Sequence, residues 1–379
     1  MKKKIALVRG KFLNKFEMQS FEPLHDKFDI TAFGSLTPFQ DTFAFPTVKL
    51  PSPMDIPDVP FKMPIINRLF IDAHYLYGLE KHLKGFDIAH SAETYYHYTQ
   101  QCLNAKQKRD VKKVVVTVLE NIPFNNEGIW GRKRFKNRTR NEADTLIALT
   151  KKTKEILIEE GSEEKKIAII GSGINTERFH PGPRMKKEFI KNNKDITILF
   201  VGRLEKYKGV YELIHAFNAL LRDASLKKYS FQLYMIGDGS EKDSLIDFEK
   251  ELGIASKVHH KTLSYDIIHT IYQEADIFVA PSYDTSTWTE QYGYMLLEAQ
   301  ASGLPIITTD SGSIPEVVEK TAIHVPQKDG ELLYKEMQNL VLNPDVRLTY
   351  SQQSRKRALS FHDFRKKAEQ IEKVYNALL

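Results

Sequence analysis

Short runs rich in β-branched and aromatic residues alternate with amphipathic stretches over nearly the whole chain, and this alternation restricts the fold more than any other feature. The runs fall at 5–9, 29–33, 86–91, 113–119, 145–149 and 166–170, and then at 196–202, 232–237, 257–262, 277–281 and 305–309. Helical patterns lie between most of them. In the clearest, Val210, Leu213, Ile214, Phe217, Leu220 and Leu221 recur at the spacing of one helix face. A strand followed by a helix and another strand implies parallel pairing through right-handed crossovers.

At 379 residues the chain exceeds one ordinary core, so the two strand series predict two Rossmann-like α/β domains. Pro181, Gly182 and Pro183 interrupt any regular structure and set the expected boundary: 1–182 as the first domain and 183–360 as the second. Residues 361–379 form a last helix whose stripe of Phe364, Ala368, Ile371, Tyr375 and Leu378 needs a large surface to cover it. A proline cluster, FPTVKLPSPMDIPDVPF at 45–61, reads as a long irregular loop suited to shaping an acceptor site.

Composition excludes several classes. Hydrophobic residues make up 41% and charged residues 27%, as in ordinary globular proteins. The longest apolar runs, VVVTVL and ITILFV, fall far short of the roughly 20 residues of a membrane helix. The opening MKKKIALVRGKF stops being apolar at Arg9 with no small-residue cleavage site after it, so it reads as a first strand rather than a signal peptide. Cys102 is the single cysteine; it allows no internal disulfide, and a reducing cytoplasm is the expected compartment. The net charge of +6 comes from the first half, where residues 1–182 hold 29 Lys and Arg against 22 Asp and Glu. The densest part is GRKRFKNRTR at 131–140, with Arg132, Lys133, Arg134, Lys136, Arg138 and Arg140. Two readings stand for it: a solvated helix face, or a peripheral contact with an anionic membrane surface or acidic acceptor at the inner face of the membrane. Nucleic acid is not expected, because no recognition motif accompanies this one run.

Four stretches carry candidate chemistry. In LFVGRLEKYKGVYELIHAF a strand ends at Gly202, a loop brings Arg203 and Lys208, and Gly209 opens the helix described above. Ligands of open parallel sheets bind at the carboxyl ends of strands, where two cations and a helix N-terminus suit a diphosphate. In YMIGDGSEKDSL, Gly237 and Gly239 allow either an ordinary turn or the close approach of a flat ligand. In ASGLPIITTDSGSIPEVV, Gly312 is placed to bring backbone N–H groups to an anion or sugar. In WTEQYGYMLLE, Gly293 reads as a helix entry, Glu290 as part of the preceding loop and Glu298 as helical, with Tyr294, Leu297 and Ala301 forming a buried stripe. Trp288 and Thr289 either help select a ligand or pack the loop.

Taken in this order, VGRLEKYKG, IGDGSE, ADIFVAPS, EQYGYMLLE and EAQASGLPIITTDSGSIPEVV resemble the retaining glycosyltransferases of the GT-B fold, specifically glycosyltransferase family 4. The resemblance covers 165–320 and extends more faintly to both ends; IGSGINTERFHP resembles the family's interdomain crossing, and FHDFRKKAEQIEKVY its terminal helix returning to the first domain. It implies an α/β GT-B architecture of two Rossmann-like α/β/α domains facing a central cleft, the second binding the donor and closing over it. Arg203 and Lys208 match the pair holding the donor diphosphate, Glu290 the acid facing the donor sugar, and Glu298 the acid binding the ribose. Gly293 and Tyr294 match positions whose backbone N–H groups meet the phosphates; Gly237 and Gly10 are expected on the donor side. The implied reaction moves a hexosyl group, with retention, from a nucleotide-diphosphate sugar to a hydroxyl of a glycan, glycolipid or lipid-linked sugar. No tightly bound cofactor is expected, and no metal, since no DxD occurs and the adjacent His259 and His260 face opposite sides of a strand.

The first domain departs from the family pattern. Leu119 stands where many members carry a histidine, which leaves Glu120 and Asn121 to bind sugar or acceptor, or to cap a turn. His90 and Glu93, at the end of another strand, are candidates for acceptor contacts or for buried structural roles. The glycine pair usual after the first strand is reduced to Gly10, with Lys11 and Lys15 available to attract an anion. Other GT-B chemistry, epimerase or phosphorylase, and a non-catalytic sugar-nucleotide binding protein remain alternatives; no motif marks a pyridoxal phosphate lysine.

Overall fold

The computed structural model describes residues 2–57 and 62–379 and divides into two compact units, Met1–Gly173 with Phe364–Leu379, and Ile174–Asp363. The first unit is built on β1 (Lys4–Gly10), β2 (Asp29–Gly34), β3 (Thr47–Lys49), β4 (Phe86–Ala92), β5 (Val111–Val118), β6 (Thr145–Ala148) and β7 (Ile167–Ile169). They form one sheet in the order β3-β2-β1-β4-β5-β6-β7, with every pairing parallel. β1 is central and covered on both faces, which is why it reads as a continuous apolar run rather than an alternating one. Ile5 and Leu7 enter one core while Ala6 and Val8 enter the other.

The second unit repeats the plan with β8 (Asp195–Val201), β9 (Ser230–Ile236), β10 (Val258–Lys261), β11 (Ile277–Ala280), β12 (Ile306–Thr309) and β13 (Ile323–Val325). Their order is β10-β9-β8-β11-β12-β13, again parallel throughout. The predicted stripe forms the helix Val210–Arg222, whose Val210, Leu213, Ile214, Phe217 and Leu220 pack with Ile196, Ile198 and Phe200 of β8. In each sheet the chain winds one way from the central strand and then the other. The reversal lies between β1 and β4 in the first sheet and between β8 and β11 in the second, and at such a point the loops part to leave a crevice at the strands' carboxyl ends.

Three features differ from the sequence reading. The proline-rich segment is not irregular throughout, since Thr47–Lys49 forms β3 at the sheet edge and Ala32 N–H donates to Pro46 O at 2.8 Å; residues 58–61 of that segment lie outside the described residues. β13 is the other unpredicted strand; like β3 it has three residues and includes polar ones, whereas the equally short β7, IAI, reads as an apolar run. The units divide after Gly173 rather than at the prolines, because 174–182 is tied to the second unit: Ile174 N–H donates to His362 O at 2.7 Å, Thr176 Oγ1 to Asp363 at 2.5 Å, and the buried Phe179 ring lies 5.8 Å from Tyr272. The last helix, Phe364–Leu378, inserts Ala368, Ile371 and Tyr375 into the first unit's core beside Phe28 and Ile30. Among the described residues no helix is long and apolar enough to cross a membrane.

Candidate functional site

The second unit's switch point gathers most of the predicted donor residues. Arg203 and Lys208 lie in the loop after β8, and Ser282 and Glu290 in the segment after β11. Arg203 is exposed, its guanidinium 5.5 Å from the centre of the Tyr207 ring, whereas Lys208 is buried and donates to Glu290 Oε2 at 2.6 Å. Both members of this ion pair are about nine-tenths covered, with side-chain exposures of 10% and 9%. The Trp288 ring lies 4.6 Å from the Lys208 ammonium and 4.2 Å from Tyr207, so this residue, left open by the sequence, covers the cation. Ser282 Oγ donates to the same Glu290 oxygen at 3.3 Å.

The backbone around Glu290 is fixed as closely as its side chain. Glu290 N–H donates to Ser311 Oγ at 3.2 Å, Ser313 N–H to Glu290 O at 2.8 Å, and Ser311 Oγ to Asp284 Oδ1 at 2.6 Å. Gly312, at φ +55°, is required here: a Cβ would fall 2.0 Å from Glu290 O. Its visible task is thus to admit the Glu290 backbone. Gly237 has a similar task. A Cβ there would fall 1.9 Å from Gly202 O, and its N–H already donates to Lys261 O at 2.9 Å, so the close approach expected of a flat ligand is made by the chain itself.

Gly293, at φ +76°, starts the helix Tyr294–Ala301 with no side-chain cap, leaving the helix's positive end directed at the switch-point loops. Glu298 lies within this helix, buried, and accepts from Tyr272 Oη at 2.6 Å. Burial raises its pKa to about 7 against the opposing pull of the Tyr272 hydrogen bond and Arg178. Tyr272, Ser282 and Ser311 are neighbours that sequence reasoning did not single out: Ser282 ends ADIFVAPS and Ser311 lies in EAQASGLPIITTDSGSIPEVV, but Tyr272 lies in no quoted motif.

At the first unit's switch point the expected residues separate. His90 is fully buried, with Nδ1 2.7 Å from Tyr375 Oη and Nε2 2.8 Å from Thr117 Oγ1, so both ring nitrogens are engaged within the unit, as in the buried structural role. Glu120 turns back on its own loop, accepting from Asn121 N–H at 3.0 Å, Ile122 N–H at 3.1 Å and Asn125 Nδ2 at 2.8 Å, which is the turn-capping role. Asn121 is 1% exposed. Gly10 ends β1 at φ +56° with the Tyr98 ring 3.2 Å from its Cβ position, and the Lys11 ammonium is held by Thr37. Glu93 alone keeps an open valence: Oε1 accepts from Leu119 N–H at 2.9 Å, while the buried Oε2 has no hydrogen-bond partner. Burial and the nearby Glu120 raise its pKa to about 8.

The basic run is largely consumed by internal pairs. Arg132 meets Asp72 at 3.2 Å, Lys136 meets Glu160 at 2.6 Å, and Arg140 meets Glu160 at 2.5 Å, all in buried positions. Lys133 and Arg134 remain on the surface. His259 and His260 contact Gln232 and Glu249 respectively, and among the described residues no group of three His, Cys, Asp or Glu could hold a metal ion.

The family model described as glycosyl transferases group 1 matches residues 183–357, and that of glycosyltransferase family 4 matches residues 33–178. The capsular polysaccharide biosynthesis glycosyltransferase CapM of Staphylococcus aureus is 28% identical over 248 residues, 62% of this chain and 62% of that protein. A D-inositol 3-phosphate glycosyltransferase of Corynebacterium jeikeium is 30% identical over 250 residues, 62% of this chain and 58% of that protein. The chain thus spans about three fifths of the length of these curated relatives. HepE of Anabaena in complex with UDP superimposes with a TM-score of 0.75 at 14% identity, covering 99% of this chain and 100% of that one. The two parallel-sheet units, of seven and six strands, match GT-B structures.

Proposed function

Because the chain belongs to the glycosyltransferases of group 1 and family 4, we propose that it transfers a hexosyl group from a nucleotide-diphosphate sugar to a hydroxyl of a glycan, glycolipid or lipid-linked sugar. The observation that carries this reading is the buried Lys208–Glu290 pair at the second switch point, with the exposed Arg203 beside it and an uncapped helix end at Gly293. A diphosphate is the ligand class such a site fits, because it replaces one buried carboxylate with several phosphate oxygens as partners for Lys208.

In this reading Arg203 and Lys208 stabilise the charge that grows on the leaving diphosphate, doing the work a divalent ion does elsewhere. Glu290, released from Lys208, accepts hydrogen bonds from the sugar hydroxyls. Glu298 holds the ribose and Tyr294 leads a helix end towards the phosphates. The acceptor hydroxyl attacks on the leaving-group face through an oxocarbenium-like transition state, which gives retention. The expectation of retention rests on the likeness of EQYGYMLLE to the family pattern, and that of a UDP-type donor on HepE, whose structure contains UDP. We place the enzyme in the cytoplasm with peripheral membrane contact through Lys133 and Arg134, the surface remnant of the basic run.

The test is a screen of UDP-glucose, UDP-galactose, UDP-N-acetylglucosamine and GDP-mannose against octyl glycosides and water, with product anomers assigned by NMR. Transfer with the donor's anomeric configuration kept is expected. Binding without turnover of any of them would instead favour a non-catalytic sugar-nucleotide protein.

A further inference from the structure

We propose that Glu93 is a ligand-binding carboxyl of the first unit, its Oε2 taking a sugar hydroxyl. The inference deepens the glycosyltransferase reading and rests on it. Three observations converge on this residue. Glu93 directly follows β4, on the carboxyl side of the first sheet's switch point, where open parallel sheets admit ligands. Its φ is +59°, a left-handed conformation that a side chain other than glycine adopts at a cost, and such strain persists where surrounding structure enforces it. The residue is 5% exposed, with Oε1 fixed by Leu119 N–H at 2.9 Å and the buried Oε2 without a partner.

A buried carboxyl oxygen left open is unfavourable unless something fills it. Glycine would relieve the strain, and the tie to Leu119 N–H uses Oε1 alone, so the open Oε2 makes no contact that serves the fold. Burial biases the group towards its neutral form, and Glu120 after β5 and Glu17 after β1 add to this; the hydrogen bond from Leu119 N–H and the charge of Lys136, on the helix Arg132–Glu142, oppose them. Lys136 is itself bound to Glu160 at 2.6 Å, and Glu17 is partly offset by Arg9 at 3.3 Å. Tyr95, Tyr96 and Tyr98, following β4, lie near enough to interact electrostatically with the same group, and burial keeps their hydroxyls protonated. A neutral carboxylic acid can donate its proton to a hydroxyl oxygen, and a hydroxyl can return a hydrogen bond to a carboxyl, so either ligand orientation satisfies Oε2.

The experiment uses the full chain and the donor and acceptor pair that gives turnover in the screen above. Glu93→Ala should raise one KM at least tenfold while the melting temperature stays level or rises. A rise in the donor KM places the hydroxyl on the donor sugar, and a rise in the acceptor KM places it on the acceptor. Glu93→Gln, which keeps an acceptor for Leu119 N–H and a neutral donor, should retain turnover within threefold and lack the decline in rate expected of the wild type above about pH 8. Unchanged KM values in Glu93→Ala, or activity lost only in step with melting temperature in both variants, would overturn the inference. Absence of turnover with every donor would count against the glycosyltransferase reading itself, a separate failure.

Discussion

At the second sheet's switch point a buried carboxylate, Glu290, meets an ammonium at 2.6 Å; at the first, the buried carboxyls of Glu93 and Glu120 meet backbone N–H groups and one side-chain amide. The topology is shared, a parallel sheet reversing beside its central strand, but the means of stabilising charge differ. A buried ion pair gives little net stability, yet removing one partner leaves an uncompensated charge. It therefore suits a site whose ligand brings replacement charges. Carboxyls raised in pKa by burial suit a neutral partner, such as a sugar hydroxyl. The difference between an anion site and a hydroxyl site is thus already present in the unliganded chain.

The largest effect should come from breaking the pair. Lys208→Ala should cost about 3–5 kcal/mol of stability, as typical for one partner of a buried pair, and abolish transfer. Combining Lys208→Met with Glu290→Gln should restore melting temperature without restoring transfer; recovery of both together would make the pair merely structural. Next in size, Gly312→Ala drives a Cβ to 2.0 Å from Glu290 O and should lower melting temperature and transfer together, by more than Gly10→Ala, whose nearest contact is 3.2 Å from side-chain atoms. Equal effects would remove the contrast in how tightly the two switch points are built.

Glu298 tests the electrostatics. Its pKa is about 7 in the fold against 4.5 ordinarily, so between those values the folded state holds the extra proton and stability falls as pH rises, the full cost being reached above pH 7. Glu298→Gln should therefore gain stability relative to wild type across that interval, on the order of 3 kcal/mol at its plateau, while binding nucleotide more weakly. A pH-independent difference in melting curves would contradict the burial argument. A smaller effect is expected of Trp288→Ala, which removes a cation–π contact worth about 1 kcal/mol and should weaken diphosphate binding a few-fold by calorimetry.

The sequence showed the two-sheet plan because central strands such as β8, buried on both faces, stand out as apolar runs; the edge strands β3, TVK, and β13, IHV, include polar residues and left no pattern, while the equally short edge strand β7, IAI, did. Arg203, Lys208, Glu290 and Glu298 were visible through motif likeness, but the contact of Lys208 with Glu290 spans 82 positions and Tyr272 reaches Glu298 from another helix, relations that no local spacing encodes. His90 stayed ambiguous for the same reason. Its strand-end position allowed either ligand contact or a buried structural role, and the Tyr375 hydroxyl that engages it arrives from 285 residues away. Gly237 could have served a turn or a ligand, and its Cβ position is filled by Gly202 O.

The most direct test is calorimetric titration of the full chain with UDP, GDP and ADP, alongside uridine, guanosine and adenosine. The account predicts that at least one diphosphate binds, that it does so far more tightly than its nucleoside, and that Arg203→Ala combined with Lys208→Met and Glu290→Gln removes most of that advantage. Binding of diphosphate and nucleoside with equal affinity, or an advantage that survives in the triple variant, would contradict it.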